Sequence, residues 1–279
     1  MKFIIITIFS YFVITSCSPK TIILNQPKLT SFYFDKKIKK LDNKNDLNIK
    51  QKRALVKTKV EYAYGILIEE GDRQLGQDYN RSIEYYKKAN AILKDAKFIS
   101  YNIMLFKYPK FNLWLKGGHN IVFQKSDVHD IYWYAASLAG VIRSGRGSDP
   151  FELINIPIIG KLLKIAINID PEWGNGKLFS AMMSYTAIRP DLSGIVLRDS
   201  VNFYYNKSLQ LSDSLDASIF ISYAELIHKP YQEKKKFVDK LNYVNQMEFK
   251  INKKNEISYI LSKRRAKWLL SKVDDYFLE

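Results

Sequence analysis

The stretch SIEYYKKA, residues 82–89, places Ser82, Tyr86 and Ala89 at spacings of 0, +4 and +7. Because an α-helix turns once every 3.6 residues, these three side chains share one face of a helix. This spacing is typical of the second helix in a tetratricopeptide-type helix pair. The small residue at +7 lets the next helix approach closely, and the large residue at +4 fills the gap between pairs. The stretch therefore predicts one unit of a helical repeat.

Further copies of this pattern follow along the chain. The stretch IGKLLKIA (159–166) has the same spacing, and Asp170-Pro171 follows it at the offset where the repeat breaks. The stretch VNFYYNKS (201–208) gives a third copy, and residues 227–244 give a degenerate fourth. We therefore predict an all-α fold, a tetratricopeptide-like α-solenoid with flanking helices, which buries a core by stacking and presents grooves that bind. The alternative is a helical bundle whose apolar spacing resembles a repeat.

Helical periodicity begins near Ile49 and continues to the end of the chain. Asp78 is expected to cap the second helix, and Ser126 or Asp127 a later one. Asp149-Pro150 combines a cap with a proline in the first turn. The predicted helices cover about 49–75, 79–108, 111–116, 127–143, 150 onward, 157–169, 175–188, 195–211, 215–228, 231–246 and 255–277.

The beginning of the chain is typical of a secretory signal. Residues 3–14 form an apolar run of about a dozen residues, which is shorter than the roughly 20 that a membrane-spanning helix needs. The run ends in Ile14-Thr15-Ser16-Cys17, which resembles the bacterial lipobox. Small residues before the cysteine let the signal peptidase bind the backbone just before the cleavage site, and the cysteine thiol is alkylated by the lipid donor. We therefore predict that Cys17 is lipidated.

Lipidation at Cys17 divides the chain into three predicted parts. Residues 1–16 are the lipoprotein signal peptide, residues 17–48 a lipidated tether, and residues 49–279 the helical repeat domain. The anchor would hold the mature chain in the cell envelope, facing the periplasm, and leaves open which membrane carries it. Cys17 is the only cysteine, so no disulfide forms within the chain and the fold depends on its core.

The chain is strongly basic, with a formal net charge of +16. Such a charge in the cytoplasm would favour nucleic-acid binding, but export argues against a nucleic-acid partner. Two interpretations remain open. The first is codon bias, because Lys, Asn, Ile and Tyr abound together as in an AT-rich genome. The second is long-range attraction for anionic lipid, an acidic partner or an anionic solute.

Several blocks carry a resemblance to a known family. They are Tyr62–Glu70 (YAYGILIEE), Asp78-Tyr79 with Tyr85–Ala89 (YYKKA), Asp130–Ala136 (DIYWYAA), Asp170–Gly176 (DPEWGNG), and Leu261–Leu270 (LSKRRAKWLL) with Asp274–Phe277 (DDYF). In order and spacing, behind a lipobox, they resemble the T component of tetratricopeptide-associated TRAP transporters, a group of periplasmic lipoproteins. One departure lies at residues 190–194, where members usually show a Gly-Gly-Ser-like turn and this chain keeps only Gly194.

This resemblance implies a helical repeat protein that assembles as a trimer and anchors to the membrane by lipid. It implies work beside a periplasmic solute-binding protein that serves a TRAP-type secondary transporter, with ligand passing through or lodging in an internal cavity. A second hypothesis is an envelope scaffold whose repeats organise other proteins without handling a solute.

The candidate ligand or pore residues are aromatic and basic. Tyr132, Trp133 and Tyr134 form the strongest aromatic cluster, and two of the three must point away from any single helix face. One or more would then line a groove, unless they pack in the core. Arg143 and Arg146 are candidates for bidentate pairing with a carboxylate, or else solvated surface charges.

Signs of catalysis are weak. His119, His129 and His228 are too scattered for a metal motif. The run Gly145-Arg146-Gly147 follows no strand, which argues against nucleotide binding. The adjacent Glu69 and Glu70 cannot both face one site on a helix. No nucleophile motif is found. We therefore predict no enzyme activity, no metal and no cofactor.

Overall fold

The computed structural model describes residues 26–43, 46–248 and 256–278. Cys17, the predicted signal peptide and the first part of the predicted tether lie outside the described residues. Within the described ranges the chain is helical and has no β-strand, so the predicted all-α class is confirmed. No helix in these ranges is both long and apolar enough to cross a bilayer.

The helices are numbered in chain order. They are α1 (Pro27–Asp42); α2 (Ile49–Tyr62, continuing through the π-helical segment Ala63–Ile68 into Glu69–Gln74); α3 (Tyr79–Lys107); α4 (Phe111–Leu115); α5 (Val128–Ser144); α6 (Pro150–Leu153); α7 (Ile156–Ile169); α8 (Lys177–Ala187); α9 (Gly194–Leu211); α10 (Ala217–Tyr223, continuing through the π-helical segment Ala224–His228); α11 (Lys234–Gln246); α12 (Glu256–Leu270); and α13 (Val273–Tyr276). The last predicted helix, 255–277, is therefore divided by a break after Leu270.

Most predicted helix starts have the expected caps. The side chain of Asp78 accepts a hydrogen bond from the Arg81 amide at 3.0 Å, and Asp149 accepts one from the Phe151 amide at 3.0 Å. Asp127 is different, because its carboxylate makes no cap bond to α5. It is fully buried and instead accepts from the Gln124 amide and the Tyr108 hydroxyl at the end of α3. The prediction of an Asp127 side-chain cap was therefore wrong.

The segment predicted as a tether contains α1. Phe34 and Ile38 on α1 are buried, and the Phe34 ring stacks on Tyr62 of α2 with centroids 5.0 Å apart. The sequence expectation missed this helix because lysines dominate the composition of the segment. The apolar residues nevertheless recur every three to four positions, which is the spacing of one buried helix face. Helix α1, within the segment predicted as a tether, thus packs on the body.

Successive helices pack on one another through the body. Helix α2 contacts α3, α3 contacts α5, α5 contacts α7, α7 contacts α8, α8 contacts α9, and α10 contacts both α11 and α12. The residues that define the three spaced copies face inward in this stack. All of them are buried: Ser82, Tyr86, Ala89, Ile159, Leu163, Ala166, Val201, Tyr205 and Ser208.

Two of the copies use the same close contact. The Ser82 hydroxyl donates to the carbonyl oxygen of Gly71 at 2.7 Å, and the Ser208 hydroxyl donates to that of Gly176 at 3.0 Å. Both serines are buried, and each glycine precedes the helix that its serine belongs to. The absent glycine side chain leaves room for this approach, so the pair fixes the spacing between neighbouring helices.

Helix α12 returns to the beginning of the body, and its contact with α2 is here called the α2–α12 seam. Arg265 on α12 pairs with Glu69 at 3.3 Å and Asp72 at 2.8 Å on α2, and with Glu225 in the π-helical segment of α10 at 2.5 Å. Arg264 pairs with Glu70. The seam is thus a partly buried ion-pair network that joins residues from both ends of the body.

Candidate functional site

The three aromatic residues predicted on α5 point to different places. Tyr134 lies in the core, with its ring centroid 6.1 Å from that of Tyr101 and 5.8 Å from that of Phe111. It is 6 % exposed. Tyr134 is therefore a packing residue, because the helical twist turns it away from the face that carries Tyr132.

Tyr132 belongs to a group of rings, here called the Tyr132 cluster, with Trp133, Trp173 and His129. The Tyr132 ring lies 5.1 Å from Trp133 and 4.9 Å from Trp173, between centroids. The His129 ring lies 6.2 Å from Trp173. Trp173 comes from the connection between α7 and α8, so the cluster joins two consecutive parts of the helical stack. Edge and tilted contacts of this kind hold the rings in fixed orientations.

The Tyr132 side chain is half-buried, and its hydroxyl stays protonated. Burial raises the pKa of this phenol, and the nearby Tyr64, Asp216 and Glu61 raise it further. These neighbours come from α2 and from the residue before α10, so the hydroxyl lies near helices from both halves of the chain. A protonated phenol in such a position can donate a hydrogen bond to a carbonyl or carboxylate ligand.

Tyr64, in the π-helical segment of α2, is a second half-buried phenol. Its hydroxyl donates to the carbonyl oxygen of Ala136 at 3.3 Å, and burial raises the pKa of Tyr64 to about 12. A side chain at Gly140 would place its Cβ 3.0 Å from the Tyr64 ring. The glycine at position 140 therefore allows α5 to accommodate this tyrosine.

An ion pair below the Tyr132 cluster fixes the start of α5. Arg53 of α2 donates to both carboxylate oxygens of Asp130, at 2.8 and 2.5 Å. Burial alone would raise the pKa of Asp130, but the contacts with His129 and Arg53 bring it below its ordinary value. The bidentate geometry holds α5 against α2 and so positions the rings above it. The sequence places Asp130 only in the block Asp130–Ala136 and not in a site, since its partner lies 77 residues away.

The two predicted arginines lie apart from the Tyr132 cluster. Arg143 reaches Asp72 of the α2–α12 seam at 3.3 Å with a half-exposed side chain. Arg146 lies over the Tyr86 ring, 5.8 Å from its centroid. The hydroxyl of Tyr86 donates to Asp72, so the two arginines share one region. The five predicted ligand or pore residues thus lie in three places: the Tyr132 cluster, the core around Tyr134, and the surface beside Asp72 and Tyr86.

The structure also contains a groove that the sequence analysis did not find. It lies between α9, α10 and α11, has a volume of about 600 Å³, and is here called the Lys240 groove. Its lining residues are Asn202, Tyr205, Asn206, Phe220, Tyr223, His228, Lys236, Asp239, Lys240 and Tyr243. Among the lining residues, the sequence singles out Tyr205 as part of the repeat pattern and His228 as one of three scattered histidines.

Lys240 is the central cation of this groove. Its ammonium donates to the Tyr205 hydroxyl at 2.9 Å and lies 4.9 and 5.0 Å from the centroids of Tyr205 and Tyr223. Burial lowers the pKa of Lys240, and no carboxylate of the described residues forms an ion pair with it. The aromatic faces partly stabilise the charge, and the remaining N–H groups can meet a hydrogen-bond acceptor.

Glu233 lies beside this groove and holds three cationic or titratable groups together. Arg198 approaches its carboxylate at 2.6 Å, Lys236 at 2.9 Å and His228 Nδ1 at 2.7 Å. Burial alone would raise the pKa of Glu233, but Lys236, His228 and Arg198 lower it from 4.5 to about 2. The ionised carboxylate thus stabilises the junction between α9, α10 and α11.

This junction gives a pH-dependent prediction for Glu233→Gln. A depressed carboxyl pKa contributes stability above pH 4.5 that is lost as the pH falls towards about 2. At pH 7 we expect the free energy of unfolding of the variant to be about 1–2 kcal/mol lower than that of the wild type. Solvent screens this partly exposed side chain, which keeps the difference small. The difference in free energy of unfolding between variant and wild type should decrease steadily below pH 4.5. Urea unfolding of both proteins across this range measures this difference. A difference that is independent of pH would contradict the stabilising role of the ionised Glu233 carboxylate.

The histidines and acidic residues in the described part of the chain do not gather into a metal-binding arrangement. No group of three or more His, Cys, Asp or Glu side chains there has the geometry to hold a metal ion. His129 and His228 instead contact single carboxylates and aromatic rings.

Comparison with known proteins gives one family. The model of the family described as TRAP transporter T-component matches residues 60–277. This range includes the α2–α12 seam, the Tyr132 cluster and the Lys240 groove. No curated protein matches the chain.

Proposed function

Because the chain belongs to the TRAP transporter T-component family, we propose that it docks a periplasmic solute-binding protein and assists the hand-over of its ligand. Members of this family are non-enzymatic accessory proteins of a transporter, so this chain has an accessory role in TRAP transport. The family match over residues 60–277 is the observation that carries this proposal, because it covers nearly all of the described body.

In its finer features, the proposal describes a lipid-anchored accessory component of the transporter. Acylation at Cys17 holds the chain in the envelope, facing the periplasm, and the body is a tetratricopeptide-like array that assembles as a trimer. The stacking of successive helices and the buried spaced residues support the repeat arrangement. The Ile14–Cys17 motif supports the anchor.

For the ligand contact we propose the Tyr132 cluster. Tyr132 offers a protonated hydroxyl and a half-buried ring, and Trp173 supplies flanking aromatic surface. Trp133 is buried and supports the Tyr132 ring from the core. Aromatic residues with one polar atom are well suited to hold a small organic solute. Tyr134 is not part of this contact, since it packs in the core, and Arg143 and Arg146 serve the surface around Asp72 and Tyr86.

Capture of the native lipoprotein from its own cells tests the proposal. The tagged protein is cross-linked, purified and analysed by mass spectrometry for both proteins and small molecules. We expect a TRAP-type solute-binding protein to be enriched together with a bound solute. Enrichment of other envelope proteins without a solute-binding protein would instead support a scaffold and overturn docking.

A matched pair of variants separates solute binding from docking. Tyr132→Ala should lower the recovered solute about tenfold, because it removes the hydroxyl and the central ring of the cluster. The solute-binding protein should still be recovered. Tyr79→Ala removes an exposed tyrosine at the start of α3 and should leave both unchanged. Equal solute recovery with Tyr132→Ala and wild type would show that the Tyr132 cluster is not the ligand contact.

A further inference from the structure

Helix α1 has two faces of different character. Thr30, Phe34 and Ile38 pack against the body and are buried. The opposite face begins with large apolar side chains that have no cover. Leu29 is 47 %, Phe32 67 % and Tyr33 50 % exposed. Water-exposed aromatic residues next to each other on one helix indicate a surface that meets another apolar phase.

The charges of α1 are sorted between the same two faces. Asp35 pairs with Lys88 at 2.8 Å, and Asp42 pairs with Lys59 at 3.0 Å, so both acids are directed towards the body. The lysines of α1 are exposed, and within the described part of the chain none of them forms an ion pair. They are Lys28, Lys36, Lys37, Lys39 and Lys40. The outward face therefore carries positive charge alone.

We propose that α1 lies on the surface of an anionic bilayer, with Leu29, Phe32 and Tyr33 at headgroup depth. Aromatic and leucine side chains enter the interface, while lysines extend their methylene stems along it and hold the ammonium at the phosphates. Lys36, Lys39 and Lys40 follow the apolar residues at i+3 and i+4 spacing, so one helix side supplies both contacts. This goes beyond the transport role. It rests on the proposed function only through the acylation of Cys17, and the test below uses the unacylated chain.

The position of α1 in the chain favours a bilayer over a protein partner. Nine residues separate Cys17 from Pro27, so ten extended steps of the backbone span at most about 36 Å. With Cys17 acylated, as proposed above, the start of α1 cannot move further than this from the membrane. A helix held so close would meet lipid headgroups before any soluble partner.

Vesicle flotation tests the proposal on the unacylated mature chain, residues 17–279 with Cys17→Ser. We expect this protein to float with vesicles of phosphatidylethanolamine and phosphatidylglycerol, but not with phosphatidylcholine alone. Phe32→Ser with Tyr33→Ser, and separately Lys36→Glu with Lys40→Glu, should each lower the bound fraction at least tenfold. These side chains point away from the body, so the thermal unfolding midpoint should stay unchanged.

Matched controls carry the same changes elsewhere on the surface. Tyr79→Ser with Phe98→Ser removes a tyrosine and a phenylalanine that are 59 % and 64 % exposed on α3. Lys87→Glu with Lys235→Glu makes the same change in net charge. Both controls should bind within twofold of the parent protein. The proposal is overturned if the α1 variants bind as the parent does, or if the controls lose binding equally. It is also overturned if the α1 variants change the mass measured by sedimentation but not vesicle binding. The outward face of α1 would then be a contact between copies of the chain.

Discussion

Replacing Arg265 by alanine is expected to lower the free energy of unfolding by about 3–5 kcal/mol. The Arg265 side chain is 10 % exposed and contacts three carboxylates, those of Glu225, Asp72 and Glu69. Burial alone would lower its pKa, but Glu225 and Glu69 raise it, so the guanidinium stays charged. Without it, the clustered acids remain in a poorly solvated place with like charges nearby. Removing one partner of a buried pair costs more than the pair contributes.

Two further variants identify the cause of this loss. Arg265→Lys keeps the charge but cannot reproduce the forked contact with Glu225, so an intermediate loss is expected. Arg189→Ala breaks a pair with Asp191 in which the two side chains are 35 % and 60 % exposed, so it should cost far less than Arg265→Ala. Urea unfolding gives all three values. If Arg265→Ala costs no more than Arg189→Ala, the α2–α12 seam does not stabilise the fold.

Gly176→Ala is expected to cost about 2–5 kcal/mol, for two reasons that add. The backbone at Gly176 has a φ of +89°, which a residue with a Cβ adopts at a cost of about 1–2 kcal/mol. The new Cβ would also lie 2.5 Å from the carbonyl oxygen of Ser208. That contact involves backbone, which cannot move aside without shifting α9, and overpacking of this kind costs about 1–3 kcal/mol.

Other glycines separate the two contributions. Gly147 has a φ of +68° and open space around it, so Gly147→Ala should show only the conformational cost of about 1–2 kcal/mol. Gly76 has ordinary backbone angles and open space, so Gly76→Ala should show no loss. Thermal and urea unfolding of the three variants rank them. Equal losses for Gly176→Ala and Gly147→Ala would mean that the close approach to Ser208 is unimportant.

The sequence predicted the parts of the fold that depend on local chemistry. The Asp78 and Asp149 caps and most helix limits follow from short-range spacing and hydrogen bonding. The buried positions of the spaced copies, such as Tyr86 and Leu163, follow from helical periodicity. Helix α1 was missed because charge dominated the composition of its segment.

What the sequence did not predict depends on contacts between distant residues. Arg265 and Glu69 are 196 positions apart, and nothing in either segment indicates the other. The Lys240 groove needs three helices to come together before Lys240 and Tyr205 meet. The sequence predicts Tyr134 as a ligand candidate because the two residues before it are aromatic, although helix geometry turns it into the core.

The α2–α12 seam also determines when the protein can finish folding. Glu69, Glu70 and Asp72 are synthesised early, whereas the α12 arginines that pair with them lie 193–196 residues later. A chain that ends before α12 therefore leaves its first helices with acids that lack Arg264 and Arg265. Such long-range contacts slow the last step of folding. A chain cut before α12 therefore cannot form this seam, and we expect such truncated products to be cleaved by proteases more readily than the chain that includes α12.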